Sequence, residues 1–202
     1  MKINPNMSWL DAHEVMVAAV APRPIAFVST IGRDGVFNLA PFSLITPISM
    51  QPITVGFSIG RRKGQKKDTL NNIEFTKDFV INAVSKNIIK KVIQSAESYP
   101  SDVDEFKEVG LTPVNSDQVK SPRVNESPIN LECRLKQILE FGISPRNNNF
   151  IIAEVVQIHI KDEFYIQGQI QDNELELIGR LGGEYYCRTT DRFKIQRPNS
   201  LN

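Results

Sequence analysis

Apolar and β-branched residues come in short runs separated by turn residues, and this pattern predicts strands in the first third of the chain. Four such runs follow one another, at 25–31, 36–42, 43–49 and 53–59. Gly32-Arg33-Asp34-Gly35 separates the first two, and Asp-Gly tolerates the positive φ of a tight hairpin. We expect the second strand to stop or bulge at Pro41, because proline has no N–H to donate to a ladder.

The rest of the chain adds three strands and four helices to this pattern. The predicted strands cover 79–84, 129–141 and 150–160, and the predicted helices 8–20, 68–76, 86–96 and 104–109. The run 150–160 is apolar on both faces over its first half, so we expect a central strand there. Strands joined mostly by hairpins, with helices outside, favour a mainly β antiparallel barrel with peripheral helices.

The length of 202 residues fits one domain. Residues 97–127 depart from the apolar pattern and are rich in Ser, Pro, Asp and Lys. We interpret them as an excursion from the barrel, or a lid over it, within a single domain spanning 1–202.

Composition excludes several classes of function. The net charge of +1 gives no basic field for nucleic acid, and the apolar runs are too short to span a membrane. Without a signal-like N-terminus, we expect a cytoplasmic protein. Cys133 and Cys187 are expected as reduced thiols, a redox disulfide being the alternative. His13 and His159 are far apart in the sequence, so no metal site is predicted.

A basic loop at 60–67 precedes the helix that begins at Asp68-Thr69. Free amides and the dipole at a helix start favour phosphate, and Arg61 or Arg62 would add a bidentate contact. Asp68 would place a negative charge near that phosphate, so it fits better as a cap, with Thr69 as the direct donor. The alternative is a solvated basic loop.

Hydroxyl groups stand at the ends of other strands. Ser29 and Thr30 are adjacent and point to opposite faces, so at most one of them faces a ligand. Ser58 precedes the basic loop, and it lies near Ser29 only if their strands are neighbours.

The segment Asn38-Leu39-Ala40-Pro41-Phe42-Ser43 could contact a flat heterocycle. A ladder broken at Pro41 would leave backbone donors and acceptors free, and the Ser43 hydroxyl would act similarly. The alternative is a β-bulge without a ligand. Together these donors fit a phosphate beside a flat aromatic group. Since the sequence contains no catalytic triad, P-loop or GxGxxG motif, the chemistry would be that of a cofactor.

At these residues the chain resembles the flavin reductase-like, FMN-binding split-barrel family, and within it the flavoredoxin-like branch. The motifs that carry the resemblance are PRPIAFVST (22–30), NLAPFS (38–43), ITVGFSIGRR (53–62), KDTLNNI (67–73) and GRLGGEYYCR (179–188). Their order and spacing agree over most of residues 15–190. The implied fold is an antiparallel split β-barrel of Greek-key type.

The resemblance also implies a homodimer with FMN at the subunit interface. Fourteen residues would contact the cofactor, grouped by the part they would meet: Arg23, Ser29 and Thr30 the phosphate and ribityl chain; Asn38, Ala40, Pro41 and Ser43 the ring; Ser58, Arg61, Arg62, Lys67, Asp68 and Thr69 the phosphate; and Tyr185 the site from either subunit. Arg61 and Arg62 remain rivals, since sequence does not separate adjacent cations.

The function implied by the resemblance is an FMN-dependent oxidoreductase of flavin reductase type. Hydride from NADH or NADPH would pass to flavin, and electrons onward to a small molecule or a protein. No side chain is assigned as a catalytic acid or base. The alternatives are a non-catalytic FMN-binding or electron-transfer protein of flavoredoxin type, and a binding module for another phosphorylated ligand or haem.

Overall fold

The computed structural model describes residues 2–4 and 6–196. The first half contains helices α1 (Trp9–Ala19), α2 (Asp68–Thr76), α3 (Ile89–Gln94) and α4 (Glu105–Val109), and strands β1 (Ala26–Ile31), β2 (Phe37–Phe42), β3 (Ile45–Met50), β4 (Ile53–Gly60) and β5 (Asp78–Asn82). The second half contains β6 (Pro113–Val114), β7 (Arg123–Val124), β8 (Ile129–Phe141), β9 (Asn148–Ile160), β10 (Tyr165–Ile166), β11 (Gln169–Ile170), β12 (Ile178–Arg180) and β13 (Tyr186–Arg188), with a 3-10 turn at Asp162–Phe164. The positions 197–202 of the predicted single domain lie outside the described residues.

Seven strands form one antiparallel sheet in the order β2-β1-β5-β8-β9-β4-β3. The sheet curls around an apolar core. This is seen in the contact between Phe42 of β2 and Phe57 of β4, whose ring centres are 5.4 Å apart. Phe57 in turn packs edge-on against Phe79 of β5 at 5.3 Å. Rings from opposite ends of the strand order therefore meet inside a barrel, and the predicted mainly β, antiparallel architecture is confirmed.

A second apolar cluster covers the outer face of β1 and β2. Phe27 and Leu39 point outward from these strands and are buried against Val84, Phe106 and Val109. Helices α3 and α4 supply most of the cover, so the sheet is apolar on both faces here. Parts of residues 97–127 are thus packed against the outside of the barrel.

Buried polar groups on β5 and β8 hold the segment 117–124 in place. Both carboxylate oxygens of the fully buried Glu132 accept backbone N–H groups, from Asp117 at 2.8 Å and Gln118 at 2.6 Å. Burial raises the pKa of Glu132, but these bonds and the His159 ring outweigh burial and lower it overall. The ring of His159 is hydrogen-bonded to Glu132 and lies 3.9 Å from the carboxylate of Asp117, a grouping that its isolation in the sequence did not indicate.

Local predictions succeed at the first helix and the first hairpin. Ser8 caps α1 by accepting the N–H of Asp11, and Gly35 takes a φ of 83° in the turn between β1 and β2. Helix α1 buries none of its side chains. None of the helices among the described residues combines the length and apolar character that crossing a bilayer requires.

Two local predictions are wrong. Strand β2 runs unbroken through Pro41, which pairs with Phe27. The reason is that β2 is an edge strand, where a missing N–H on the open side removes no ladder bond. Ser85 does not cap a helix over 86–96, because it forms a bridge with Leu177, and α3 begins only after Ile88.

We predict that Asn82→Ala lowers the free energy of unfolding by about 2–4 kcal/mol. Asn82 is fully buried, and its carbonyl oxygen accepts the N–H of Val124 and the amide of Asn130. Removing it leaves buried donors without partners. Urea unfolding would measure the change, with Asn71→Ala on the exposed side of α2 as control, expected to stay within about 0.5 kcal/mol. Equal losses in both variants would contradict the anchoring role of Asn82.

Candidate functional site

Three depressions meet at Pro41, and together they contain most of the predicted site residues. The first, the helix-start cavity, lies between β2 and the beginning of α2 and is lined by Asn38, Ala40, Pro41, Arg62, Lys67, Asp68, Thr69, Tyr99 and Glu105, among others. The second, the Tyr186 groove, has about 490 Å³ and is lined by Pro41, Phe42, Ser43, Ile89, Arg180 and Tyr186, among others. The third, the α1 groove, has about 570 Å³ and is lined by His13, Val17, Arg23, Ser43, Ser58 and Arg180, among others.

The helix-start cavity combines cations with an open helix terminus. The predicted capping role of Asp68 is wrong, because Asp68 is already the first helical residue of α2. Lys67 occupies the N-cap position, and no side-chain hydrogen bond caps the helix. Burial, and then the neighbouring Arg62, lower the pKa of Lys67. Among the described residues, neither cation is within salt-bridge distance of a carboxylate. Two adjacent cations and free N–H groups thus face the same space, an arrangement suited to an anion.

Arg61 and Arg62, which the sequence left as rivals, lie in different surroundings. Arg61 turns toward β8, where its guanidinium binds Glu140 at 3.1 Å. Arg62 lines the helix-start cavity. Successive residues after a strand point in opposite directions, so only one of the two reaches this cavity.

A buried hydrogen-bond network forms the wall behind the cavity. The Asn38 side-chain oxygen accepts the hydroxyls of Thr69 at 2.9 Å and Thr30 at 3.3 Å. The Asn38 amide donates to Glu105 at 2.6 Å, and Asn72 donates to Thr30 at 3.0 Å. Both threonines are buried, so their hydroxyls orient Asn38.

Ser29 faces the opposite side of β1 from Thr30. It is fully buried, donates its hydroxyl to the carbonyl of Pro122, and receives the Asn82 amide at 3.0 Å. Ser58 lies four strands away from β1 in the sheet order and shares the α1 groove with Ser43. The structure therefore brings Ser58 to Ser43 and not to Ser29.

Arg23 is a buried arginine that joins the ends of the site. One terminal nitrogen donates to the carbonyls of Val17 and Val20 at the end of α1, and the other to Leu181. Burial, and then the nearby Arg180, lower the pKa of Arg23. Its guanidinium fixes α1 and the 181–185 loop against the barrel.

Within one protomer, residues of the late motif other than Tyr185 line the grooves. Tyr185 is 75% exposed, whereas Tyr186 and Arg180 line the groove beside Pro41. The Arg180 guanidinium lies 4.5 Å from the Tyr186 ring centre. Both residues belong to the GRLGGEYYCR motif, so the signal was present, but Tyr185 lies in the turn before β13 and Tyr186 is the first residue of that strand. Glu105 and Tyr99 carried no recognisable signal in the sequence.

The comparisons with known proteins agree with this arrangement. Residues 18–174 match the family described as "Flavin reductase like domain". The chain belongs to the flavin reductase-like family. An uncharacterized protein of Halalkalibacterium halodurans is 34% identical over 202 residues, covering 98% of this chain and 97% of the relative.

Solved structures extend the likeness to the whole fold. Nitrilotriacetate monooxygenase component B from Bacillus cereus superposes with a TM-score of 0.92 at 28% identity, over 96% of this chain and 98% of that one. The 2-nitrobenzoate 2-nitroreductase NbaA of Pseudomonas fluorescens gives 0.90 at 27%, over 100% and 98%. Flavoredoxin of Desulfovibrio vulgaris (Miyazaki F) shares the fold, with a TM-score of 0.77 at 20% identity over 99% of each chain. The predicted family and split-barrel fold are thereby confirmed.

Proposed function

We propose that this protein binds FMN in the three connected depressions and uses it as an oxidoreductase, taking hydride from NADH or NADPH. The observation that carries the proposal is the helix-start cavity, where Arg62, Lys67 and the uncapped α2 terminus face the Asn38–Pro41 strand edge. Family membership and a nitroreductase among the similar structures support a redox role.

The residues present fit the parts of FMN. Arg62, Lys67 and the first-turn N–H groups of α2 would hold the phosphate. The Tyr186 groove, with apolar walls from Phe42, Ile89 and Val92, would hold the flat ring and exclude water. When bound, the flavin supplies the hydride and electron chemistry. The protein binds and orients it, and Arg180 adds positive charge at the groove.

Three other predicted contacts enter the proposal in less direct roles, and two are left out of it. Thr30 and Thr69 would act by holding Asn38, and Arg23 by fixing α1 beside the groove. Ser29 and Arg61 have protein partners elsewhere and are not proposed as direct contacts. A cytoplasmic location and the single-domain organisation stay predictions.

Purified protein reconstituted with FMN should show a bound flavin spectrum that NADH or NADPH bleaches under nitrogen. Bleaching at a catalytic rate, followed by recolouring with a flavin, nitroaromatic or quinone acceptor, would support the oxidoreductase. Bound FMN that neither nicotinamide reduces, while dithionite does, would instead favour the alternative of a non-catalytic FMN-binding or electron-transfer protein. Failure to bind FMN would contradict the whole proposal.

We predict that Arg62→Ala weakens FMN binding about 10- to 100-fold, because it removes a charge-assisted contact worth about 1.5–3 kcal/mol. Arg61→Ala is the matched control, since its guanidinium binds Glu140 instead. Riboflavin, which lacks the phosphate, should bind both variants equally. Fluorescence titration measures all of these affinities. If Arg61→Ala has the larger effect on FMN, the assignment of Arg62 is wrong.

The homodimer is also part of the proposal, because one side of the site is bounded by uncovered apolar surface. Helix α1 buries no side chain, and Trp9, Leu10 and Met16 are about half exposed or more. The edge strand β3 exposes Ile48 and Met50, the latter at 73%. Of these residues, Met16 lines the α1 groove itself. Exposed apolar surface of this kind is typical of an interface, and we propose that a second copy covers it.

Met50→Glu should convert the dimer to a monomer and weaken FMN binding at least about tenfold, because a charge would be buried against apolar surface. Light scattering after size exclusion gives the mass. Ile166→Glu on the β10–β11 hairpin is the control, as its side chain is similarly exposed, at 52%. A monomeric wild type that binds FMN tightly would rule out the shared site.

A further inference from the structure

Glu105 is a buried carboxyl group in a place where a phosphate site would not be expected to have one. It is the first residue of α4, is 7% exposed, and lines the helix-start cavity together with Lys67 and Asp68. It also lines a second depression of about 200 Å³, together with Arg33 and Asp34. Its side chain thus borders both depressions.

The two oxygens of Glu105 hold the strand edge that forms the cavity wall. Oε1 accepts the side-chain amide of Asn38 at 2.6 Å, and Oε2 accepts the backbone N–H of Leu39 at 3.1 Å. The first bond fixes which way the Asn38 amide points, and therefore which atom Thr30 and Thr69 meet. Glu105 consequently positions Asn38 from a distant part of the chain.

The charges around Glu105 make its ionised form unfavourable for an anionic ligand. Facing it are Asp68 and Lys67 at the start of α2, Arg62 before it, Glu97 and Tyr99 after α3, and Arg33 and Asp34 across the second depression. The helix-start cavity contains two cations and three carboxyl groups, Glu105 included. With all three ionised, a phosphate dianion would enter a space with excess negative charge, and protonation of one carboxyl group removes that excess.

The surroundings of Glu105 favour the uptake of a proton by its carboxyl group. Burial, and to a smaller degree the neighbouring Asp68, raise its pKa to about 7, against the opposing effect of its hydrogen bonds with Leu39 and Asn38. A group with that pKa is mostly ionised at pH 8 and mostly protonated at pH 6. A nearby phosphate would raise the pKa further.

We propose that Glu105 is a positioning residue of the flavin site, and that binding of the FMN phosphate transfers one proton from solvent to its carboxyl group. This inference rests on the proposed function. The protonated carboxyl group keeps an acceptor for Asn38 and gains an O–H, while the formal charge of the side chains that line the cavity rises by one and becomes neutral. Phosphate recognition at this site is thus linked to pH.

The proposed protonation of Glu105 fixes the direction in which FMN affinity changes with pH. Because FMN favours the protonated form of Glu105, it binds most tightly when the pH is below the pKa that Glu105 has in the free protein. FMN affinity therefore falls as pH rises above about 7. If the pKa of Glu105 is about 7 in the free protein and much higher in the complex, FMN affinity drops about fivefold between pH 7 and pH 8. Riboflavin, without a phosphate, should show little of this dependence.

Calorimetry of FMN binding at pH 8 in two buffers of different ionisation enthalpy, such as HEPES and Tris, counts the protons taken up. The wild type should take up most of one proton per FMN. The phosphate group of FMN, with a second pKa near 6, contributes little at pH 8. Glu105→Gln, which mimics the neutral carboxyl group, should bind FMN without proton uptake and with a flat pH profile.

Asp68→Asn provides a second variant that leaves Glu105 intact. Removing a charge that raises the Glu105 pKa should shift the fall in affinity to lower pH while proton uptake persists at pH 7. Uptake that survives in Glu105→Gln, or equals that for riboflavin, overturns the inference. FMN binding by the wild type without proton uptake overturns it and leaves the proposed function standing. Absence of FMN binding at every pH from 6 to 9 overturns the proposed function itself.

Discussion

Buried polar side chains on the outer face of the sheet decide where residues 97–127 lie. Asp78 and Asn82 on β5 and Glu132 on β8 are enclosed by protein, and each accepts backbone N–H groups from 117–124. A buried acceptor without a partner costs free energy, so the segment and the strands depend on each other. The same segment delivers Glu105 to the edge of β2, where its carboxyl group orients Asn38. The geometry of the candidate site therefore depends on hydrogen bonds formed outside the barrel.

Electrostatics distinguishes the helix-start cavity from an ordinary basic loop. The exposed Arg62 lies near the half-buried Lys67, burial weakens the hydration of Lys67, and the uncapped start of α2 adds to the positive field. Asp68 and Glu105 limit that field from the same cavity. The net charge of the cavity therefore changes when one carboxyl group takes up a proton, and the affinity for an anionic ligand changes with it. The larger grooves are apolar by comparison and fit the flat part of such a ligand.

Much of the fold could be predicted because its signals are local. Alternating apolar residues located β8 and β9, and the Asp-Gly turn and the Ser8 cap depend only on their neighbours. Predictions that needed the position of an element in the sheet were less successful. Pro41 predicts a break only if β2 is internal, and β2 lies at an edge. Ser85 has the composition of a cap, yet its backbone pairs with Leu177, more than ninety residues later.

By itself, the sequence determined the seven strands of the main sheet, the hairpin, the basic loop before α2 and the family, because each depends on residues close together in the chain. Only the tertiary structure decided which side chains share a cavity. The sequence does not distinguish Arg61 from Arg62, or Tyr185 from Tyr186. In the folded chain only Arg62 and Tyr186 line the depressions. Glu105 reaches Asn38 from 67 positions away, and no local pattern encodes a contact of that range.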